Sequence, residues 1–168
     1  LISTEAIGLS EAKALCMNTE LRQDYMKTAG TKEVIHIEGS GKRVAVLDFG
    51  VKKSIIKHLQ ADGYDIWIFP YASTADQILA IKPDGIFLTN GPGDPEAATE
   101  AVKEIKKLIR HRIPIFGICM GHQVLALAVG GKTYKLKYGH RGGNHGVFDK
   151  DTGTCSITSQ NHGYAVKS

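Results

Sequence analysis

Four short apolar runs, separated by stretches of helical pattern, constrain this chain more than any other feature. Val44-Ala45-Val46-Leu47, Ile66-Trp67-Ile68-Phe69, Gly85-Ile86-Phe87-Leu88 and Ile113-Pro114-Ile115-Phe116 are continuous rather than alternating. Runs of that length and kind suit parallel strands covered on both faces. Between the first two, Ile55, Ile56 and Leu59 mark one face of a helix, with Lys52, Lys53 and Lys57 on the other. A short helix is expected from Ala75 to Ile81. Ala101, Val102, Ile105, Leu108 and Ile109 recur at helical spacing between Glu96 and Arg110. The alternation predicts an α/β fold, a mostly parallel open sheet flanked by helices, with ligands bound beyond the carboxyl ends of the strands. After residue 131 the pattern changes to short strands and glycine-rich turns. A small antiparallel extension is expected there, with His140 to His145 as a loop.

Residues 1–41 lack this regularity. Ser10 is expected to cap a helix that runs to about Met26, with Glu11 in its first turn. Gly30 and then Gly39-Ser40-Gly41 interrupt the chain after it. We read 1–41 as a partly helical linker from an upstream domain and 42–168 as the domain that carries the chemistry. The chain opens on Leu1 and closes on Ser168 without a tail, and both ends are expected to be cut from a longer polypeptide.

A chain of 168 residues can build a substantial core. Its net charge of +4 is spread rather than clustered, which argues against a nucleic-acid or membrane partner. The three cysteines, Cys16, Cys119 and Cys155, form no close pair and no metal-ligand spacing. No metal site is expected, and the usage suits a reducing compartment, hence the cytoplasm. No run is long and apolar enough to suggest a membrane helix.

The reactive candidate is Cys119, in Gly117-Ile118-Cys119-Met120-Gly121-His122-Gln123. It follows the fourth apolar run and precedes the helical stretch Val124 to Ala128. A strand, a tight turn with a thiol at its apex, then a helix is how an α/β fold presents a nucleophile. The glycines leave room for the turn and for close packing, and the helix N-terminus is expected to favour thiolate over thiol. A thiolate attacking an acyl carbon creates an oxyanion. The Met120 N–H is one expected donor to it. The second is expected from Asn90-Gly91-Pro92-Gly93-Asp94-Pro95, which falls at a neighbouring strand end. A base is harder to find. His122 is expected to point away, and His140, His145 and His162 have no acidic neighbour suited to orient them.

Gly117 to Gln123, preceded by Asn90 to Pro95, resembles the class I (triad) glutamine amidotransferases, whose fold is flavodoxin-like. Lys135 to His145 and Thr158 to Val166 narrow the resemblance to the small (glutaminase) subunits of carbamoyl phosphate synthetases, over roughly residues 42 to 168. The resemblance implies that Cys119 attacks the side-chain amide of L-glutamine and forms a glutamyl thioester. It implies oxyanion donors at Gly91 and Met120. It implies substrate contacts from Gly91, Gly93, Met120, Gln123, Asn161, Gly163 and Tyr164, with His162 in a supporting position behind them. It further implies that ammonia passes to a large synthetase subunit, which uses ATP, Mg and bicarbonate; this chain itself is expected to hold no cofactor. The family's catalytic His and Glu are expected beyond Ser168, so this chain alone is expected to be inactive. Met120 stands where the family often has Leu, and Gly146 where Pro is usual; neither change removes a functional group.

Other readings stay open at this point. Class I amidotransferases serving anthranilate, GMP or CTP synthesis share the cysteine turn and the glycine loop. A non-catalytic binding or docking module is a third possibility, as is an elbow-thiol protein with peptidase or chaperone-like activity. The fate of the carbamoyl phosphate, in arginine or pyrimidine synthesis, is not set by these motifs.

Overall fold

The computed structural model describes residues 6–18 and 25–167. Its elements run α1 (Leu9–Asn18), α2 (Tyr25–Ala29), β1 (Ile35–Ile37), β2 (Arg43–Asp48), α3 (Lys53–Ala61), β3 (Asp65–Pro70), α4 (Ala75–Ala80) and β4 (Gly85–Leu88). A 3₁₀ turn (Pro95–Ala97), α5 (Thr99–Ile109), β5 (Ile115–Gly117), α6 (Met120–Ala128), β6 (Thr133–Asp149) and β7 (Thr154–Val166) come next. The main sheet has the order β1-β3-β2-β4-β5. Its last four strands are parallel, and β1 lies antiparallel on β3. The α/β class, the mostly parallel sheet and the antiparallel extension are as the sequence predicts.

Burial follows from strand periodicity. Ala45, Leu47, Ile86 and Leu88 point to one face, where Ile78 of α4, Ala101, Ile105 and Leu108 of α5, and Val124 of α6 cover them. Val46, Ile66, Ile68 and Phe87 point to the other, against Ile56 of α3. Successive residues thus face opposite layers, and both layers are apolar, which explains the continuous runs. Thr74 begins α4 with a capping box: its hydroxyl accepts the Gln77 N–H, and Gln77 Oε1 accepts the Thr74 N–H at 2.9 Å.

Several expectations are corrected here. α1 starts at Leu9, so Ser10 sits inside its first turn rather than ahead of it, and the described part of the helix runs to Asn18. The stretch expected to continue it includes 19–24, which lies outside the described residues; Met26 belongs to α2. The helix expected from Glu96 is broken at Ala98, because Asp94 accepts the Glu96 N–H at 2.9 Å and starts a separate 3₁₀ turn. His140 to His145 is not a loop but part of β6, a strand of 17 residues. Its glycines are absorbed as irregularities in pairing with β7, between Lys135 and His140 and between Gly142 and His145.

Described residues before Lys42 pack onto the sheet. Met26 is 2% exposed and sits in the main core, and β1 extends the sheet. At that edge Asp65 binds Arg43 Nε at 2.8 Å and His36 Nε2 at 2.6 Å. Those partners, Arg43 first, lower its carboxyl to about 2. A depressed carboxylate stabilises the fold above its unfolded value of about 4 and loses that contribution as pH falls through the folded value. The stability difference between the parent and Asp65→Asn should therefore be full at neutral pH and shrink steadily as pH falls toward 2. Denaturant melts across that range check it; a difference independent of pH would contradict the ion-pair account.

Candidate active site

The bend at residue 119 places a residue with a side chain in a rare backbone conformation. β5 ends at Gly117, α6 begins at Met120, and Cys119 between them has φ 52° and ψ −105°. A residue with a Cβ pays about 1–3 kcal/mol for such a conformation unless its surroundings impose it. Here they do. The Ile118 N–H donates to Leu88 O at 3.0 Å, and the Gly121 N–H donates to Thr89 O at 2.9 Å. These bonds fix the turn against the end of β4. Both glycines are required by contact: a Cβ on Gly121 would lie 2.1 Å from Leu88 O, and one on Gly117 would lie 2.6 Å from the backbone of Gly121 and His122.

Cys119 opens onto a cleft of about 780 Å³ at the carboxyl ends of β4 and β5. Its thiol is partly buried, and burial pushes its pKa above the ordinary thiol value. The nearby Met120 N–H opposes that shift without cancelling it. This differs from the expected thiolate: the loss of hydration outweighs the amide donor at the helix start. Among the described residues, no histidine hydrogen-bonds this sulfur.

A second wall comes from the loop after β4, with Gly91 and Gly93 on the cleft. Gly91 is pressed on Phe49, so that a Cβ there would lie 2.4 Å from Phe49 O. Phe49 is in turn held by Asp48, which is 5% exposed and whose Oδ1 accepts the Gly50 and Val51 N–H groups at 2.9 and 2.7 Å. Asp48 Oδ2 accepts the Thr31 N–H at 2.8 Å, which ties the residues before β1 to this turn.

The third wall is the end of β7. Asn161, His162, Gly163 and Tyr164 all line the cleft, with Met120 and Gln123 of α6 facing them. Gln123 Nε2 donates to Tyr164 O at 2.6 Å, and His162 Nδ1 lies 2.7 Å from the same oxygen. The Tyr164 phenol is raised above its ordinary value, by burial first and then by the nearby carboxylates of Asp94 and Glu96. All nine residues singled out from the sequence therefore meet in one cleft. Their arrangement places a sulfur, glycine amides and polar side chains around a space large enough for a small amino-acid-sized molecule.

Asp94, Glu96, Lys135, Arg141 and Tyr25 also line this space. Asp94, Lys135 and Arg141 lie within motifs marked in the sequence without a role of their own, and Glu96 adjoins the glycine loop. Tyr25 carries no local signal; the burial of its neighbour Met26 brings it in. His122 does lie apart, in an apolar hollow with Ile109, Ile115 and Leu125. Among the described residues, no group of three or more His, Cys, Asp or Glu is placed to hold a metal ion, and no helix is long and apolar enough to cross a membrane.

The family model "Glutamine amidotransferase class-I" matches residues 45–168. The carbamoyl phosphate synthase small chain of Clostridium acetobutylicum is 54% identical over 166 residues, covering 99% of this chain and 47% of that protein. The small chain of Fusobacterium nucleatum subsp. nucleatum is 48% identical over 159 residues, covering 95% and 44%. The chain thus spans about half the length of these curated relatives. Among solved structures, a glutamine amidotransferase from Thermotoga maritima shares the fold, with a TM-score of 0.57 at 16% identity over 76% of this chain and 63% of that one.

Proposed function

The chain belongs to the class-I glutamine amidotransferase family, and on that premise we propose that Cys119 is the nucleophile that hydrolyses the side-chain amide of L-glutamine. The sulfur attacks the amide carbon, and the Gly91 and Met120 N–H groups receive the oxyanion. Collapse expels ammonia and leaves a γ-glutamyl thioester; water then releases glutamate and restores the thiol. Gly93, Gln123, Asn161, Gly163 and Tyr164 hold the rest of the substrate. His162 supports Tyr164 through its main-chain oxygen. The convergence of Cys119, the glycine loop and residues 161–164 on one cleft carries this reading.

The names of the curated relatives support a finer assignment: the glutaminase part of a carbamoyl phosphate synthase. In it, ammonia passes to a large synthetase subunit that combines it with bicarbonate at the expense of ATP, with Mg. Residues 42–168 serve as the amidotransferase domain, and 1–41 join it to an upstream domain, with the segment from Tyr25 packed onto it. The base, a His oriented by Glu, is supplied from outside this sequence. The reaction then belongs in the cytoplasm, where those substrates occur.

A chloromethyl ketone analogue of glutamine tests the pocket. Its carbonyl accepts the sulfur as the amide would, a sulfur–carbon bond then forms, and chloride leaves. One equivalent should attach to Cys119, and excess glutamine should protect it. Cys16 and Cys155 are exposed and serve as internal controls. Label confined to those two, with Cys119 spared in the folded protein, would refute the assignment. The same 168-residue chain should hydrolyse glutamine at least ~10²-fold more slowly than a full-length small chain, because both proton transfers lack their catalyst.

A further inference from the structure

We infer that Asn90 is a positioning residue that sets the Gly91 amide for oxyanion donation, an inference that rests on the glutaminase reading of this cleft. Its side chain forms a two-pronged clasp between the loops after β4 and β2. Asn90 Oδ1 accepts the Lys52 N–H at 3.1 Å, and Nδ2 donates to Gly50 O at 3.1 Å. One prong needs an acceptor and the other a donor, which a primary amide supplies from one planar group.

The clasp continues a line of bonds between the same two segments. The Thr89 N–H donates to Leu47 O at 3.2 Å, and the Phe49 N–H donates to Thr89 Oγ1 at 2.9 Å. Thr89 is fully buried, and its hydroxyl donates to Asn90 O at 2.9 Å. Thr89 O accepts the Gly121 N–H, which links the line to the cysteine bend. The Thr89 bonds fix the start of the glycine loop. Beyond Thr89, the two bonds of the Asn90 side chain tie this loop to the turn after β2. Gly91, next in sequence, has no side chain with which to hold itself, and its contact with Phe49 is only as firm as that turn's position.

An amide donor works when it is aimed where the oxyanion develops, and misplacing it costs rate without changing the nucleophile. The role therefore predicts a split between two reagents in this same chain. The chloromethyl ketone analogue forms an oxyanion at the site. Iodoacetamide alkylates sulfur by direct displacement and forms none. Asn90→Ala should slow Cys119 modification by the chloromethyl ketone about tenfold, less than the 10²–10³ of deleting a donor. It should leave modification by iodoacetamide within about twofold. Asn90→Asp keeps the acceptor and loses the donor, and should show the same split; it is the measurement to use if the alanine variant does not melt cooperatively.

Equal slowing with both reagents would mean a merely structural residue and would overturn the inference. So would an unchanged chloromethyl ketone rate in a variant whose parent is labelled normally. Failure of the parent itself to react with the analogue would instead strike the glutaminase reading, and the inference with it.

Discussion

Replacing Cys119 with glycine is expected to give a protein that is inert toward glutamine yet about as stable as its parent. The loss follows from chemistry: without sulfur no thioester forms, and removal of a nucleophile acting in concert with its partners costs on the order of 10⁴–10⁶ in kcat. In the full-length protein this is read as glutamine-dependent turnover, and in this chain as the disappearance of glutamine-protected label. The stability follows from the backbone. φ 52° with ψ −105° suits glycine, and the substitution releases about 1–3 kcal/mol of strain. Against that stand the loss of a partly buried side chain and the extra freedom of glycine in the unfolded chain, about 1 kcal/mol each. The two sides nearly cancel. The unfolding midpoint should stay within a few degrees of the parent or rise above it. A midpoint lower by about 10 °C would show that the bend is not strained.

The opposite result is expected two residues later. Gly121→Ala should destabilise the fold by about 3 kcal/mol or more, the upper end of the cost of overpacking. The added carbon would sit 2.1 Å from Leu88 O and 2.5 Å from Leu88 C, which are backbone atoms of a central strand and cannot swing aside. Relief requires α6 to move away from β4. That movement breaks the Gly121 to Thr89 bond and carries Cys119 out of register with Gly91, so labelling by the glutamine analogue should fall with stability. Gly143→Ala is the control. It stands on the hairpin with its nearest new contact at 3.5 Å, an ordinary van der Waals distance. It should change stability by no more than about 0.5 kcal/mol. If Gly121→Ala were as mild as Gly143→Ala, the close packing of helix on strand would be wrong.

Local pattern is what makes part of this fold legible in the sequence. Val44 to Leu47 and Gly85 to Leu88 announce themselves as buried strands because both faces of the sheet are apolar. The bend at Cys119 is legible because two glycines flank a thiol between a strand and a helix. The clustering of Asn161, His162, Gly163 and Tyr164 with Cys119 needs the resemblance, since 42 or more residues separate them and no periodicity brings them together. The continuity of β6 through His140 to His145 is hidden because glycines usually end strands, whereas Gly139, at φ 73°, sits at an irregularity within one. The thiol's pKa cannot be read from sequence at all: helix polarity is visible there, but the depth of burial that opposes it is not.

The β6–β7 ribbon supplies one side of the cleft, and the sheet with α6 supplies the others. A two-stranded ribbon is marginal by itself in water. Most of this one is exposed, and its attachment near the cleft includes Gln123 Nε2 donating to Tyr164 O and Thr133 Oγ1 donating to Glu96 Oε1. The binding space accordingly exists only while ribbon and sheet are docked, and docking and occupancy become linked equilibria. A molecule gripped by both sides lends its own affinity to keeping them together, so the substrate completes the enclosure that surrounds it.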